Sequence, residues 1–343
     1  METNLSHISH LVSVVMSVYN GQMYLREAID SVLNQTFSDF EFIIINDGSS
    51  DNSLSIIQSY TDKQIVVINN DGNKGLIYSL NKGLEIAKGK YIARMDADDI
   101  CLPERFKKQV DFLESNPTIG VLGCDYISFS ENSSQVVKSI YNRYQIKSFL
   151  LFTATMCHPT LMLRKQILVD NALCYSENAK HVEDYNLWCR LVLCTDFCNL
   201  NDVLFKYRDH TSQVSHKNRE TQLINSNSVQ ENYLKKLGFS YSESDIKWHF
   251  LISSNSRIND RNSLICIEKW LLSLIEQNET KKLISINEFN SVISKMWLDC
   301  CGNTSLGAWS YLYYQKSKVN SLTNFNGGLN AKLLAKCIIR WLK

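Results

Sequence analysis

Short apolar runs alternate with helical spacings through the first hundred residues. Residues 11–18, Leu-Val-Ser-Val-Val-Met-Ser-Val, form a β-branched apolar run that stops at Tyr19-Asn20-Gly21, the pattern of a buried strand followed by a turn. Leu25, Ala28, Ile29, Val32 and Leu33 then recur at three-to-four spacing, which is one face of a helix. A second strand is predicted over 40–45, and it runs into Asn46-Asp47-Gly48-Ser49-Ser50-Asp51, a turn and helix-start signal. A helix over 53–60, a strand over 65–68 and a loop over 69–75 follow. Leu76, Leu80, Leu84 and Ala87 mark the next helix, and residues 91–95 the fourth strand. Strand and helix alternating four times with short connections predict an α/β fold: a doubly wound, mostly parallel sheet with helices on both faces.

Further along, Pro103-Glu104-Arg105 opens a helix, with proline in its first turn. Residues 119–129 read as strand, and 130–155 as a loop with a short helix. Cys157-His158-Pro159-Thr160 precedes a strand-like 161–163, and 181–188 enters a helix that carries Leu191 and Val192. Residues 204–207 are strand-like and lead into Arg208-Asp209-His210. Beyond 217 helical periods dominate, as in Leu264, Ile267, Leu271, Leu274 and Ile275. The expected division is therefore an α/β domain over 1–216 and a helical region over 217–343. A last helix over 331–343 would place Lys332, Lys336 and Arg340 along one side, and no acidic residue occurs from Gln315 onward. That suits peripheral contact with an anionic membrane surface; a helix docked on its own domain is the alternative.

Composition narrows the classes. A chain of 343 residues with 44% hydrophobic content can bury a sizeable core. A net charge of +1 gives no general electrostatic attraction for nucleic acid. No apolar run is long enough to span a membrane, and residues 1–10 lack the pattern of a signal peptide, so a cytoplasmic protein is expected. The 11 cysteines lack paired zinc-site spacing and read as reduced thiols.

In open α/β sheets, ligands sit outside the carboxyl ends of the strands. Here those ends carry Tyr19 and Asn20, then Asp47 and Gly48, then Asp96-Ala97-Asp98-Asp99, all expected on one rim. Like charges at ~4 Å repel by roughly 1–4 kcal/mol at surface to intermediate dielectric. Three carboxylates within four residues thus call for a counter-charge, and oxygen ligands suit Mg²⁺ or Mn²⁺. An Asp-rich turn that caps the next helix is the plainer reading. Neither a Gly-x-Gly-x-x-Gly turn nor a P-loop follows the first strand. The rim instead suits a metal-bound diphosphate, with Asp47 accepting from a base N–H, Tyr19 flanking the base, and Asp96 and Asp98 addressing ribose and metal. Glu183 and Asp184 diverge by about 100° on a helix, so they are not the flanking pair of a glycosidase.

Seven landmarks in order carry a resemblance. They are Val14-Val15-Met16-Ser17-Val18-Tyr19-Asn20, Asn46-Asp47-Gly48-Ser49-Ser50-Asp51, Asn73-Lys74-Gly75, Asp96-Ala97-Asp98-Asp99, His158-Pro159, Glu183-Asp184-Tyr185-Asn186-Leu187-Trp188, and Tyr207-Arg208-Asp209-His210. Across roughly 11–216 the chain resembles the inverting nucleotide-sugar glycosyltransferases of family 2, with the GT-A fold, of the kind that builds bacterial surface polysaccharide such as O-antigen or capsule. The resemblance implies a UDP-sugar donor, a hexose-type sugar, and a glycan or polyprenyl-diphosphate-linked acceptor on the inner membrane face. It implies that Tyr19, Asn20 and Asp47 hold the nucleotide, with Asn73, Gly75 and Arg94 near it. Asp96 would contact ribose or metal-bound water, and Asp98 with Asp99 would bind Mn²⁺ or Mg²⁺. Glu183 and Asp184 would face the acceptor, with Asp184 the general base, while Arg208, His158 and His210 would serve the donor and its leaving diphosphate. The family often has Asp where this chain has Asn46. Two alternatives stand beside this reading: a nucleotide-sugar or carbohydrate binding protein of the same fold without turnover, and a nucleotidyltransferase, which would need a basic Gly-rich loop after the first strand that this chain lacks.

Overall fold

The computed structural model describes residues 10–140, 142–210, 213 and 218–321. The expected helix over 331–343 and most of residues 1–10 lie outside the described residues, as do positions 211, 212 and 214–217. Among the described residues, no helix is long and apolar enough to cross a membrane.

The α/β expectation holds. Strands β1 (Val12–Val18), β2 (Phe40–Asn46), β3 (Ile65–Asn69) and β4 (Tyr91–Met95) pair in parallel, in spatial order β3-β2-β1-β4. The sheet continues past β4 through strands the alternation pattern reveals only in part. These are the short β5 (Ile100–Cys101), β6 (Ile119–Phe129), β7 (Ser134–Val137), β8 (Met162–Arg164) and the long β9 (Asp196–Arg208). β8 runs antiparallel between β4 and β6, β6 pairs in parallel with β9, and β5 closes the edge antiparallel to β9. The result is one nine-stranded mixed sheet.

Two departures from the sequence reading have local causes. β9 begins at Asp196, not at residue 204, because its first half is polar and its pairing with β6 is interrupted by register shifts around Cys124 and Asp125. Such bulges break the alternation that marks a strand. The expected loop after β6 contains β7, an exposed hairpin partner of β6 that has no apolar face to betray it.

Period-two alternation assigns the two faces. Val12, Val14, Met16 and Val18 point to one side, where α1 (Leu25–Leu33) packs Leu25, Ala28, Ile29 and Val32 and α4 (Arg105–Ser115) packs Phe106, Val110 and Leu113 into the same core. α2 (Ser53–Gln58) adds Ile57 to that core. On the other side α3 (Leu76–Ile86) lies so close that a Cβ on Gly83 would sit 2.4 Å from Val15 Cγ1. A glycine is required there for the helix to seat.

The chain separates into two compact units, residues 1–143 with 154–225 and residues 144–153 with 226–343. Where the sequence suggests one division at 216–217, the contacts carry the first unit to Asn225 and assign the excursion 144–153 to the second. The first unit also holds α6 (Lys165–Asp170) and α7 (Glu183–Leu191), and α5 (Arg143–Phe149) leads into the excursion. α8 (Arg219–Leu237) ends in the second unit, followed by α9 (Glu243–Ser253), α10 (Arg261–Lys281), α11 (Ile286–Gly302), α12 (Ala308–Lys316) and α13 (Lys318–Ser321). Its core is the helical stripe read from sequence: Leu264, Ile267, Leu271 and Leu274 of α10, with Phe289, Val292 and Ile293 of α11, all buried. A capping box at Ser242 and an Asp260 cap start α9 and α10.

Candidate active site

β1 pairs in parallel with both β2 and β4, so their carboxyl ends share one margin of the sheet. Tyr19 is 53% exposed at the end of β1. Asn20 takes a left-handed φ of 50° and stitches the first two loops together: its Oδ1 accepts from Ser50 N at 2.8 Å and its N–H donates to Ser49 Oγ at 3.1 Å.

Asp47 is only 2% exposed. Its Oδ1 accepts from Asn70 Nδ2 (2.7 Å) and Lys74 N (2.9 Å), and its Oδ2 accepts from Gly75 N (2.8 Å). The carboxylate therefore holds the loop after β3, and one lone pair of Oδ2 remains for another donor. Gly48 makes that closure feasible. Its φ is +68°, and a Cβ there would lie 2.4 Å from the Gly72 carbonyl carbon. Gly75 is thereby held on Asp47, and Asn73 lies against Gly48 beside it. Asn46 bonds Asn69 Oδ1 at 3.1 Å, so the position where an aspartate is common serves here to join β2 to β3.

The aspartates after β4 form a cluster. Ligand oxygens of Asp96, Asp98 and Asp99 all lie within 4.8 Å of one another. Each is met by a different partner. Arg94, buried in β4, reaches Asp96 Oδ1 at 2.5 Å. His210 Nε2 lies 2.9 Å from Asp98 Oδ2. The Arg208 amide donates to Asp99 Oδ1 at 2.7 Å. Burial raises the Asp98 pKa, helped by the charge of Asp96 and opposed by His210. Burial together with the Asp96 and Asp98 charges holds the Asp99 carboxyl well above its usual range. Asp99 Oδ2 is buried without a hydrogen-bond partner. An orphaned carboxylate oxygen beside two other carboxylates fits a divalent cation, which would supply the missing positive charge. Asp98 and Asp99 would hold it, Asp96 stands within reach, and His210 presents a ring nitrogen at the same oxygen of Asp98.

Arg208 is held by contacts on several sides. Its guanidinium is sandwiched 4.3 Å from the Tyr24 ring centroid and 4.6 Å from that of Phe129. Its Nε donates to the Asp98 carbonyl at 2.7 Å, and Nη2 pairs with Glu27. The side chain ties the end of β9 to the aspartate loop and to α1.

Glu183 and Asp184 open α7, where a helix N-terminus favours negative charge. Asp184 Oδ1 accepts from the Tyr185 amide at 2.7 Å. Burial pushes the Glu183 carboxyl up to about 7, with Asp184 adding to the shift. Burial also raises Asp184, against the pull of the helix amides and Arg94. The charges of Arg94 and Asp96 act on both acids, so the start of α7 feels the aspartate cluster. Arg94 itself keeps Nε and Nη1 buried and unpartnered. His158 is placed against Tyr175, with Nε2 2.8 Å from its hydroxyl. Burial and Arg94 hold its pKa well down, which favours the neutral ring. Tyr24, Glu27, Asn70, Asn81 and Tyr175 were not legible as site residues, because each enters through a contact with a distant segment.

Residues 13–171 match the family model described as glycosyl transferase family 2. A Haemophilus influenzae protein described as an uncharacterized glycosyltransferase is 34% identical over 244 residues, spanning 66% of this chain and 76% of its own. The O-antigen biosynthesis glycosyltransferase WbnJ of Escherichia coli is 33% identical over 215 residues, 60% of this chain and 83% of its own. Among solved structures, S. aureus TarS 1–349 in complex with UDP-GlcNAc superposes with a TM-score of 0.58 at 19% identity, covering 96% of this chain and 89% of that one. The last likeness bears on fold alone, and it is that of a GT-A glycosyltransferase. Sheet, rim and relatives agree, and the chain belongs to glycosyl transferase family 2.

Proposed function

We propose that this glycosyltransferase moves a hexose-type sugar from a UDP-sugar to a glycan or lipid-linked acceptor, with inversion at the anomeric carbon and with Mn²⁺ or Mg²⁺ on the diphosphate. The observation that carries the proposal is the buried, partnerless Asp99 Oδ2 within a three-aspartate cluster at the same sheet margin as Asp47. The bound metal would offset the charge of the departing diphosphate, a type of stabilisation that usually dominates transfer chemistry.

The chain's own residues divide the remaining work. Tyr19 and the free lone pair of Asp47 take the base, and the loop at Asn73–Gly75 closes beside it. Asp96, fixed by Arg94, addresses ribose or a metal-bound water. Asp184 accepts the proton of the attacking acceptor hydroxyl, which contributes about 10²–10⁴-fold. Glu183, with a pKa near neutrality, shares that proton load. Arg208 acts as a positioning residue for Asp98 and Asp99, and His210 guards Asp98 Oδ2. The E. coli relative named for O-antigen biosynthesis supports a role in surface-polysaccharide assembly.

The test is a panel of UDP-sugars offered with Mn²⁺, scored for donor hydrolysis and for transfer to lipid-linked acceptors. One donor turned over at least tenfold faster than the rest, with its activity abolished by EDTA, is expected. Binding without turnover of any donor would instead favour a carbohydrate-binding protein of the same fold.

A further inference from the structure

Asn81 projects from α3 and clamps the backbone of Tyr175 at both polar groups. Its Nδ2 donates to Tyr175 O at 2.8 Å, and its Oδ1 accepts from Tyr175 N at 2.9 Å. A side-chain amide that satisfies both backbone groups of a distant residue behaves like one rung of a sheet, and it fixes that residue in position and orientation. The two residues are 94 positions apart, so this is a tertiary join and not a local turn.

The join continues through the Tyr175 side chain. Its hydroxyl meets His158 Nε2 at 2.8 Å, and the two rings lie 5.5 Å apart. His158 also packs edge-on against Trp188, at 5.6 Å and 73°. Trp188 is fully buried in α7, one turn after Asp184 on the same helix. Burial and nearby carboxylates keep the Tyr175 phenol protonated, and burial with Arg94 keeps His158 neutral. The pair is therefore a neutral hydrogen bond that carries no charge into the site. It reads as a mechanical part and not as an acid or base.

We infer that Asn81, Tyr175 and His158 form a strut that sets the distance between the nucleotide-side helix α3 and the acid-bearing start of α7. α3 begins at Leu76, directly after Gly75, the residue that Asp47 grips. The strut thus links the element that seats the nucleotide to the helix that presents Glu183 and Asp184. Tyr175 is its central positioning residue. The inference rests on the transfer reading given above, because the quantity it fixes is the reach of the base toward the sugar.

Misplacing a catalytic group by about 1 Å can cost ~10²-fold in rate with little effect on binding. Tyr175→Phe removes the hydroxyl while keeping the ring. Asn81→Asp keeps the acceptor arm of the clamp and removes the donor arm, and it serves if Tyr175→Phe folds poorly. Both variants are expected to lower kcat for transfer about 10–100-fold with the donor KM within twofold of wild type. Hydrogen–deuterium exchange should speed up at 183–191 and stay unchanged at 69–75. A donor KM that rises in step with a falling kcat, an unchanged kcat, or unchanged exchange at 183–191 overturns the strut. Absence of transfer by the wild-type chain overturns the catalytic reading instead, and the exchange measurement still decides whether the strut holds α7.

Discussion

The acids after β4 and the acids opening α7 both feel Arg94 and Asp96, yet their charge is managed in unlike ways. Asp96, Asp98 and Asp99 are each met by a named partner: Arg94, His210 and the Arg208 amide. Even so, burial and mutual repulsion raise Asp98 and Asp99, and one oxygen is left bare. Glu183 and Asp184 lean on the N-terminus of α7 and on the charge of Arg94, and Glu183 rises to about 7. The first group is short of positive charge, which a divalent cation would supply on the proposed reading. The second would take up a proton near neutrality, as the proposed base role requires. Arg94 acts on both and has two guanidinium nitrogens unpartnered, so one buried cation influences both groups.

The comparison can be broken at four places, in falling order of expected effect. Asp184→Asn should cut transfer by about 10²–10⁴-fold while leaving UDP affinity unchanged in a calorimetric titration; comparable loss of UDP binding would move Asp184 to the donor group. Arg208→Met removes the sandwich and the tie to Asp98 without touching Asp184. It should weaken Mn²⁺ affinity about 10–100-fold, as loss of an outer support does, and an unaltered metal titration would show the aspartates need no such tie. Gly48→Ala forces a Cβ against Gly72 at φ +68° and should cost about 1–3 kcal/mol of stability. A urea midpoint equal to wild type would mean the Asp47 loop is not closed as described.

The smallest effect concerns Glu183. Its folded pKa of about 7 exceeds the ordinary 4.5, so its contribution to stability is present at acid pH and lost as pH rises through 7. Gln has no such loss. Glu183→Gln should therefore stabilise the chain by about 1–3 kcal/mol at pH 8 and hardly at all at pH 5. Equal melting-temperature shifts at both pH values would place Glu183 in water.

The parallel half of the sheet was readable because β1 to β4 are buried apolar runs bounded by Gly, Asn and Asp turns. β7 and the first half of β9 were not, since an exposed hairpin and a bulged polar strand lack periodicity. The aspartate cluster was readable because its members are contiguous. The Arg208–Glu27 and Asn81–Tyr175 contacts join residues 181 and 94 positions apart and leave no local trace. The sequence could suggest that Arg208 and His158 belong to the site. It could not show that Asp98, Glu27 and Tyr175 take some of their polar atoms.

The account depends on the aspartate margin gripping a cation-bound donor. Calorimetric titration of UDP into the wild-type chain and Asp98→Ala, each with Mn²⁺ and with EDTA, tests this directly. Tight binding only in the wild type with Mn²⁺, weakened at least ~10-fold by EDTA or by the substitution, is the expected result. UDP affinity equal in all four titrations would contradict it.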